Sequence, residues 1–192
     1  MLEPTTSMKR ALALVVSIVG ASAAGTAHAG TYVGLGIGTT PALSDDTGRL
    51  DTDGRSGKLI LGNSFGRLAL EGTVTKFGVT RTNSAGTPQP FGDAYQAGIA
   101  LKAAFPLDDH FEVFGRAGLQ HMWLNATKDS TNDTEGNGYL IGAGVQYKLD
   151  LGVGGGALFL DYQINNADLE GDHFTFASTT SRVWMLGLTV GI

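Results

Sequence analysis

The sequence predicts an all-β protein: an eight-stranded antiparallel up-and-down transmembrane β-barrel preceded by a cleavable signal peptide. Three observations predict it. After Gly30 the apolar residues recur with a period of two, the spacing of strands. The connections between these segments alternate between short turns and long polar stretches. The ionisable residues of the segments lie on the glycine-rich face, not the leucine-rich one. Composition agrees: of 192 residues 42% are apolar and only 16% charged, with 29 Gly but 5 Pro, unlike collagen, a Pro-rich linker or a disordered tail. Cysteine is absent, which excludes disulfide frameworks, Cys-ligated zinc and iron–sulfur clusters. A net charge of −5 is the opposite of the basic footprint of a nucleic-acid binder, so no nucleic-acid partner is expected.

The first element is a targeting signal. Lys9 and Arg10 precede an apolar run over residues 11–19, and small residues follow to Ala27-His28-Ala29. A basic start, a short apolar core and an A-x-A site form a secretory signal peptide over residues 1–29, cleaved after Ala29 to leave Gly30 first. Its core is too short for a spanning helix, which needs roughly 20 residues. Met8 offers an alternative start to Met1, because Met8-Lys9-Arg10 opens a more typical signal. Removing residues 1–29 takes away Lys9, Arg10 and Glu3 and leaves 163 residues of formal charge −6 as one barrel domain, 30–192.

The strands then follow in order. Over 31–39, Thr31, Val33, Leu35 and Ile37 oppose Tyr32, Gly34, Gly36 and Gly38. Over 57–64, Leu59 and Leu61 oppose Lys58, Ile60 and Gly62. Over 67–81, Leu68, Leu70 and Val74 oppose Ala69, Glu71, Thr73 and Thr75. Over 93–105, Tyr95, Ala97, Ile99, Leu101, Ala103 and Phe105 oppose Gln96, Gly98, Ala100, Lys102 and Ala104. Over 111–127, Phe111, Val113, Ala117 and Leu119 oppose Glu112, Arg116, Gly118 and Gln120, and Phe114 breaks the alternation. Over 138–149, Tyr139, Ile141, Ala143, Val145 and Tyr147 oppose Leu140, Gly142, Gly144, Gln146 and Lys148. Over 157–165, Leu158, Leu160, Tyr162 and Ile164 oppose Phe159, Asp161 and Gln163. Over 181–192, Trp184, Leu186, Leu188, Val190 and Ile192 oppose Met185, Gly187, Thr189 and Gly191.

Short turns fall at 63–66, 106–110 and 150–156; long polar segments fall at 40–56, 82–92, 128–137 and 166–180. Short turns at one end and long loops at the other mark a transmembrane barrel. Lys58, Glu71, Lys102, Glu112, Arg116, Lys148 and Asp161 are the expected lumen charge network, because a soluble barrel would carry its charges outside. Opposite signs must meet there, with Arg116 pairing to a carboxylate across the lumen. Trp123, Tyr139, Tyr162 and Trp184, with Tyr95 just inside, sit near the long-loop ends. Phe65, Phe105, Phe111 and Tyr147 sit near the short turns. The two groups are read as the aromatic girdles of the two membrane interfaces.

On the signal peptide, the opening Gly30-Thr31-Tyr32-Val33-Gly34-Leu35-Gly36, the eight alternating strands and the closing Trp184-Met185-Leu186-Gly187-Leu188-Thr189-Val190-Gly191-Ile192, the chain resembles small bacterial outer-membrane β-barrel proteins, the eight-stranded OmpA-like and OmpX-like superfamily. The resemblance implies the outer membrane of a Gram-negative bacterium, outer-membrane lipid and lipopolysaccharide as surroundings, and recognition of the last strand by the outer-membrane assembly machinery. That strand usually ends in an aromatic residue; here it ends in Ile192. The peptidoglycan-binding domain of full-length OmpA-type proteins has no counterpart in this sequence.

No motif carries chemistry, so no enzyme, cofactor or metal is expected. Gly34-x-Gly36-x-Gly38 continues into Thr39 and is no dinucleotide fingerprint. His110, His121 and His173 are followed two residues on by Glu112, Trp123 and Thr175, so the His-x-Ser signature of outer-membrane lipid A deacylases is missing. A triad of His121 or His173 with Asp172 and Ser130 or Ser178 needs an approach that the sequence does not fix. Asp51-x-Asp53-Gly54 has part of an EF-hand pattern, but Arg49 and Ile60 occupy its first and last ligand positions. The expected function is that of a monomeric structural or surface-interaction barrel with a side-chain-filled polar lumen. The alternatives are a narrow channel or small-solute transporter, a lipid-modifying enzyme, and a soluble periplasmic lipocalin-like binder.

Overall fold

The computed structural model describes residues 29–39, 42–44, 50–82, 88–126, 134–151, 155–171 and 175–192. Of the signal peptide expected over 1–29, all but Ala29 lies outside the described residues. The strands are β1 (Ala29–Gly38), β2 (Ala42–Ser44), β3 (Leu50–Phe65), β4 (Leu68–Thr82), β5 (Pro88–Pro106), β6 (Phe111–Ala126), β7 (Thr134–Leu149), β8 (Gly156–Gly171) and β9 (Thr175–Gly191). β1 and β3 to β9 each pair antiparallel with the next, and β9 pairs back onto β1, so eight strands close a barrel. β2 is a short addition that pairs with β9 at 180–182, beyond the end of β1. Among the described residues no helix is long and apolar enough to cross a membrane; the crossing is made by strands.

The register fixes the shape. Stepping from Ala29 across Phe65, Leu68, Ala103, Gly115, Ala143, Tyr162 and Trp184 returns to β1 at Thr39, ten residues along from the start. Ten residues rise about 33 Å, and eight strands span about 38 Å of circumference, so the strands tilt by about 40°. At that tilt an apolar band about 25 Å tall takes roughly ten residues of each strand. Strands of 15 to 19 residues therefore project several residues beyond the band at one end. Much of what reads as loop in the sequence is strand: 50–56 in β3, 88–92 in β5, 134–137 in β7, and 166–171 and 175–180 in β8 and β9. Neighbouring backbones keep their ladder there, but neither face meets lipid, so the period of two fades from the sequence.

The faces are inverted relative to a soluble protein. Leu101 is 52% exposed, while its neighbour Lys102 is 7% exposed. Leu35, Leu119, Ile141 and Leu186 are likewise exposed. The soluble lipocalin-like alternative needs the opposite arrangement. Two turns show why the short ends are short. Gly66 has φ of 70° at the first central position of the β3–β4 turn, the II′ arrangement that suits a right-twisted hairpin. In the β5–β6 turn, the Asp108 carboxylate accepts the amide N–H of His110 at 2.8 Å and of Phe111 at 2.7 Å.

Curvature also demands glycine where a strand passes hard against its neighbour's backbone. A Cβ on Gly138, inside β7, would lie 1.7 Å from the Asn166 carbonyl oxygen of β8, a contact that only backbone movement relieves. At Gly115 the nearest atom would be 3.9 Å away. Gly138→Ala is therefore expected to destabilise the barrel by at least about 1–3 kcal/mol, and Gly115→Ala to be near neutral. Urea unfolding in lipid vesicles, followed by Trp fluorescence, measures both.

Candidate functional site

The alternation of β3, β4, β5, β6 and β8 aims Lys58, Glu71, Lys102, Arg116 and Asp161 into the lumen, and the stagger brings them together. Arg116 stands between two carboxylates: its Nη1 is 3.0 Å from Glu71 Oε2 and its Nη2 is 3.0 Å from Asp161 Oδ2. Lys58 Nζ lies 3.6 Å from Asp161 Oδ2 and donates to Gln163 Oε1 at 2.6 Å. Lys102 Nζ lies 3.6 Å from Glu71 Oε1 and donates to Gln146 Oε1 at 2.7 Å. Tyr32 donates its hydroxyl to Glu71 Oε1 at 2.6 Å. The Lys58, Glu71, Arg116 and Asp161 side chains are shut off from solvent. Phe114, the residue that breaks the alternation in the sequence, faces inward too. Lys102 Nζ sits 4.4 Å and the Arg116 guanidinium 5.0 Å from its ring centroid, a cation–π platform for both.

Glu112 and Lys148 form a separate pair nearer the short turns, 2.7 Å apart, and Gln146 links them to Lys102 by donating to Glu112 Oε2 at 2.5 Å. These groups line a vestibule of about 380 Å³ at that end. Toward the other end a polar chain continues: Gln163 donates to Asn165, Asn165 to Ser181 at 3.1 Å, and Gln96 to Ser181 at 3.3 Å. It stops beneath a buried apolar cluster of Phe77, Ala94, Met122, Leu124, Ala167 and Leu169. A second apolar cluster, Ile60, Phe114, Phe159, Val183 and Met185, packs within the lumen beside the charges.

On the outer face Phe65, Phe105, Phe111 and Tyr147 are exposed at the short-turn end, with Phe111 edge-on to Tyr147 at 4.9 Å and His110 stacked on Tyr147 at 5.7 Å. At the other end lie Tyr95, Tyr139, Tyr162 and Trp184, the last two 4.9 Å apart. Trp123 shares their level but is only 4% exposed: it packs on Ala97, with Val74, Tyr95 and Ile99 around it and the His121 ring 4.4 Å away. Beyond these aromatics the outward face turns polar. Lys76 pairs with Asp93 at 2.8 Å, and the His121 ring meets Asn137 at 2.7 Å and Glu135 at 3.7 Å.

Of the residues weighed for catalysis, His121 and Ser178 are among the described residues. His121 is engaged with Asn137 and Glu135 on the outer face, and Ser178 is held by Asn166 and Asp168. Asp172, His173 and Ser130, and the side chains of the acidic segment 45–54, lie outside the described residues. Among the described residues no three His, Asp or Glu side chains are placed to hold a metal ion.

Removing Arg116 leaves Glu71 and Asp161 only their longer 3.6 Å ion pairs with Lys102 and Lys58 in a buried site, a loss on the order of 3–5 kcal/mol. Arg116→Ala is expected to lower the unfolding free energy, measured by urea titration in vesicles, by that amount. Combining Arg116→Met with Glu71→Gln, Asp161→Asn, Lys58→Met and Lys102→Met is expected to restore most of it, because the buried cluster then holds no charge that lacks a counterion. In the β5–β6 turn the Phe111 and His110 amides hold the Asp108 carboxyl below its ordinary range. A carboxyl depressed on folding stabilises the turn above its unfolded pKa and loses that contribution as pH falls through the folded value. Exchange protection of the His110 and Phe111 amides is therefore expected to fall on acidification, and to be independent of pH in Asp108→Asn.

Comparison with known proteins closes the case for the fold. No characterised protein matches the chain in overall sequence. Among solved structures, Neisserial surface protein A (NspA) superposes with a TM-score of 0.64 at 16% identity, over 84% of this chain and 97% of that one. Ail, the attachment invasion locus protein of Yersinia pestis, gives 0.54 at 15% identity, over 86% and 100%. OprG of Pseudomonas aeruginosa gives 0.50 at 12% identity, over 86% and 96%. The family model described as outer membrane protein beta-barrel domain matches residues 11–180. The chain belongs to this family of bacterial outer-membrane β-barrels.

Proposed function

We propose that the chain is exported by residues 1–29, cleaved after Ala29, and works in the outer membrane as a monomeric, non-catalytic barrel. It presents its long-strand end at the cell surface for binding and does not conduct solutes. The observation that carries this reading is the filled interior. The Glu71–Arg116–Asp161 bridge, with Lys58 and Lys102, crosses the lumen, and the Phe77, Met122, Leu124 and Leu169 layer lies beyond it. Eight strands leave an interior that side chains just fill, and here they fill it with groups that hold one another.

The long strands support the surface role, since the wall continues beyond the membrane band and offers a rigid mount for contacts. Ail is also known in complex with the heparin analogue sucrose octasulfate, so a barrel of similar fold takes a ligand other than lipid. Lipid and lipopolysaccharide surround the leucine band in this reading, and the assembly machinery is the partner during insertion.

A narrow channel is the second reading. It is favoured by the polar chain that runs from Lys148 at the vestibule to Gln96. Planar-bilayer recording of residues 30–192 separates the two. No unitary current steps above background are expected for the wild type; reproducible steps would overturn the closed-lumen reading. Phe77→Ser with Leu124→Ser breaches the apolar layer and is expected to raise conductance.

A further inference from the structure

Among the described residues, the ion cluster in the lumen is one positive charge out of balance. Lys58, Lys102 and Arg116 face only two carboxylates, Glu71 and Asp161. Glu112 and Lys148 cancel each other and leave the excess in place. A buried charge without a counterion is costly, so the excess belongs where something can answer it. Lys58 and Arg116 are sealed inside, whereas Lys102 lines the vestibule of about 380 Å³ at the short-turn end.

That vestibule is a cup whose inner end is closed by the bridge. Lys102 stands at its floor, with Nζ 4.4 Å from the Phe114 centroid and 5.9 Å from that of Tyr32. Lys148, last but one in β7, and Arg67, in the β3–β4 turn, stand nearer the mouth. The cup exists because the inward positions at this level are small. Gly30, Ser64, Ala69, Ala104 and Ala157 form its wall, whereas Ile60, Phe114, Phe159 and Met185 fill the lumen deeper in. The space would hold about a dozen water molecules. Donors outnumber acceptors in it. Both Glu112 oxygens are already engaged, one by Lys148 and one by Gln146. Lys102 donates to Gln146 at 2.7 Å and reaches Glu71 only at 3.6 Å, although an ammonium carries three N–H donors.

We propose that the vestibule binds a short linear dicarboxylate, with one carboxylate against Lys102 at the floor and the other toward Lys148 and Arg67 at the mouth. A carboxylate brings acceptors to unspent ammonium donors and supplies the negative charge that the cluster lacks. Cations at two depths favour a ligand charged at both ends over one charged at a single end. Between them Ala69, Ala104 and Ala157 offer an apolar wall to a methylene spacer. A zwitterion fits less well, because its ammonium would meet three cations and one carboxylate that is bonded twice already. The site lies at the end opposite the proposed surface face and does not depend on that reading.

Solution NMR of the refolded protein in zwitterionic nanodiscs, titrated with glutarate, tests it. Saturable amide shifts are expected at Ala69, Ala104 and Ala157, and none at Glu135 and Glu170 at the other end. Lys102→Met removes a charge-assisted hydrogen bond to the ligand and is expected to weaken binding at least about tenfold. Arg67→Gln/Lys148→Gln, at the mouth, is expected to bring glutarate down to the affinity of butyrate, which has a single carboxylate. Ala104→Leu fills the cup with every charge in place and is expected to abolish the shifts; it decides the matter if Lys102→Met does not fold. Lys76→Gln, outside the vestibule, is expected to bind as the wild type does. Absence of saturable shifts would overturn the site, and so would equal binding by Ala104→Leu and the wild type. Displacement of glutarate by equimolar chloride or butyrate would reveal an unselective anion cup and overturn the dicarboxylate assignment.

Discussion

A closed sheet of eight strands with a ten-residue stagger encloses too little space for water to solvate a charge, so any charge on its inner face must be answered by another side chain. Arg116 meets that constraint by spanning Glu71 and Asp161 from β6 to β4 and β8, while Lys58 and Lys102 stand 3.6 Å from the same two carboxylates and Tyr32 donates its hydroxyl to Glu71. The bridge ties non-neighbouring strands across the lumen, which the backbone ladder alone does not do. Desolvating these groups is costly, and the cluster holds because nearly every charge faces an opposite one at contact distance. The Phe114 ring beneath Lys102 and Arg116 excludes water from the same region.

The outer face follows from the inner one. Lipid tails are as apolar as leucine, so burying leucine against them gives the strands no reason to associate with one another. Backbone hydrogen bonds around the closed sheet, together with the interior contacts, carry that task. This is why the leucine face tolerates open space such as that at Gly57, while the inner face places Gly138 hard against the β8 backbone.

The inside-out pattern was legible because alternation survives wherever one face meets lipid: Leu101 beside Lys102, and Leu160 beside Asp161, state the two environments directly. Strand ends were not legible. Beyond the apolar band both faces are polar, and segments such as 166–171 carry no periodic signal although they remain hydrogen-bonded. Partner identities inside the lumen were hidden for another reason. That Arg116 meets Glu71 and Asp161 depends on register summed over several strand pairs, and a shift of two residues in any hairpin would change it. Phe114 looked like an error in the alternation, and only the ring's position over two cations explains it. Trp123 fits the girdle by sequence position, yet His121 and Ala97 cover it.

The extension of β7, β8 and β9 past the membrane band changes how such a surface can evolve. A binding face made of loops couples side-chain identity to backbone shape, so one substitution can redraw the whole contact. Here Glu135, Asn137, Asp168, Glu170 and Arg182 stand on strands whose positions are set by neighbouring backbones. Their side chains can be exchanged while the frame beneath them stays in place. The rim therefore behaves as a fixed lattice of positions whose chemistry can change residue by residue without putting the barrel at risk.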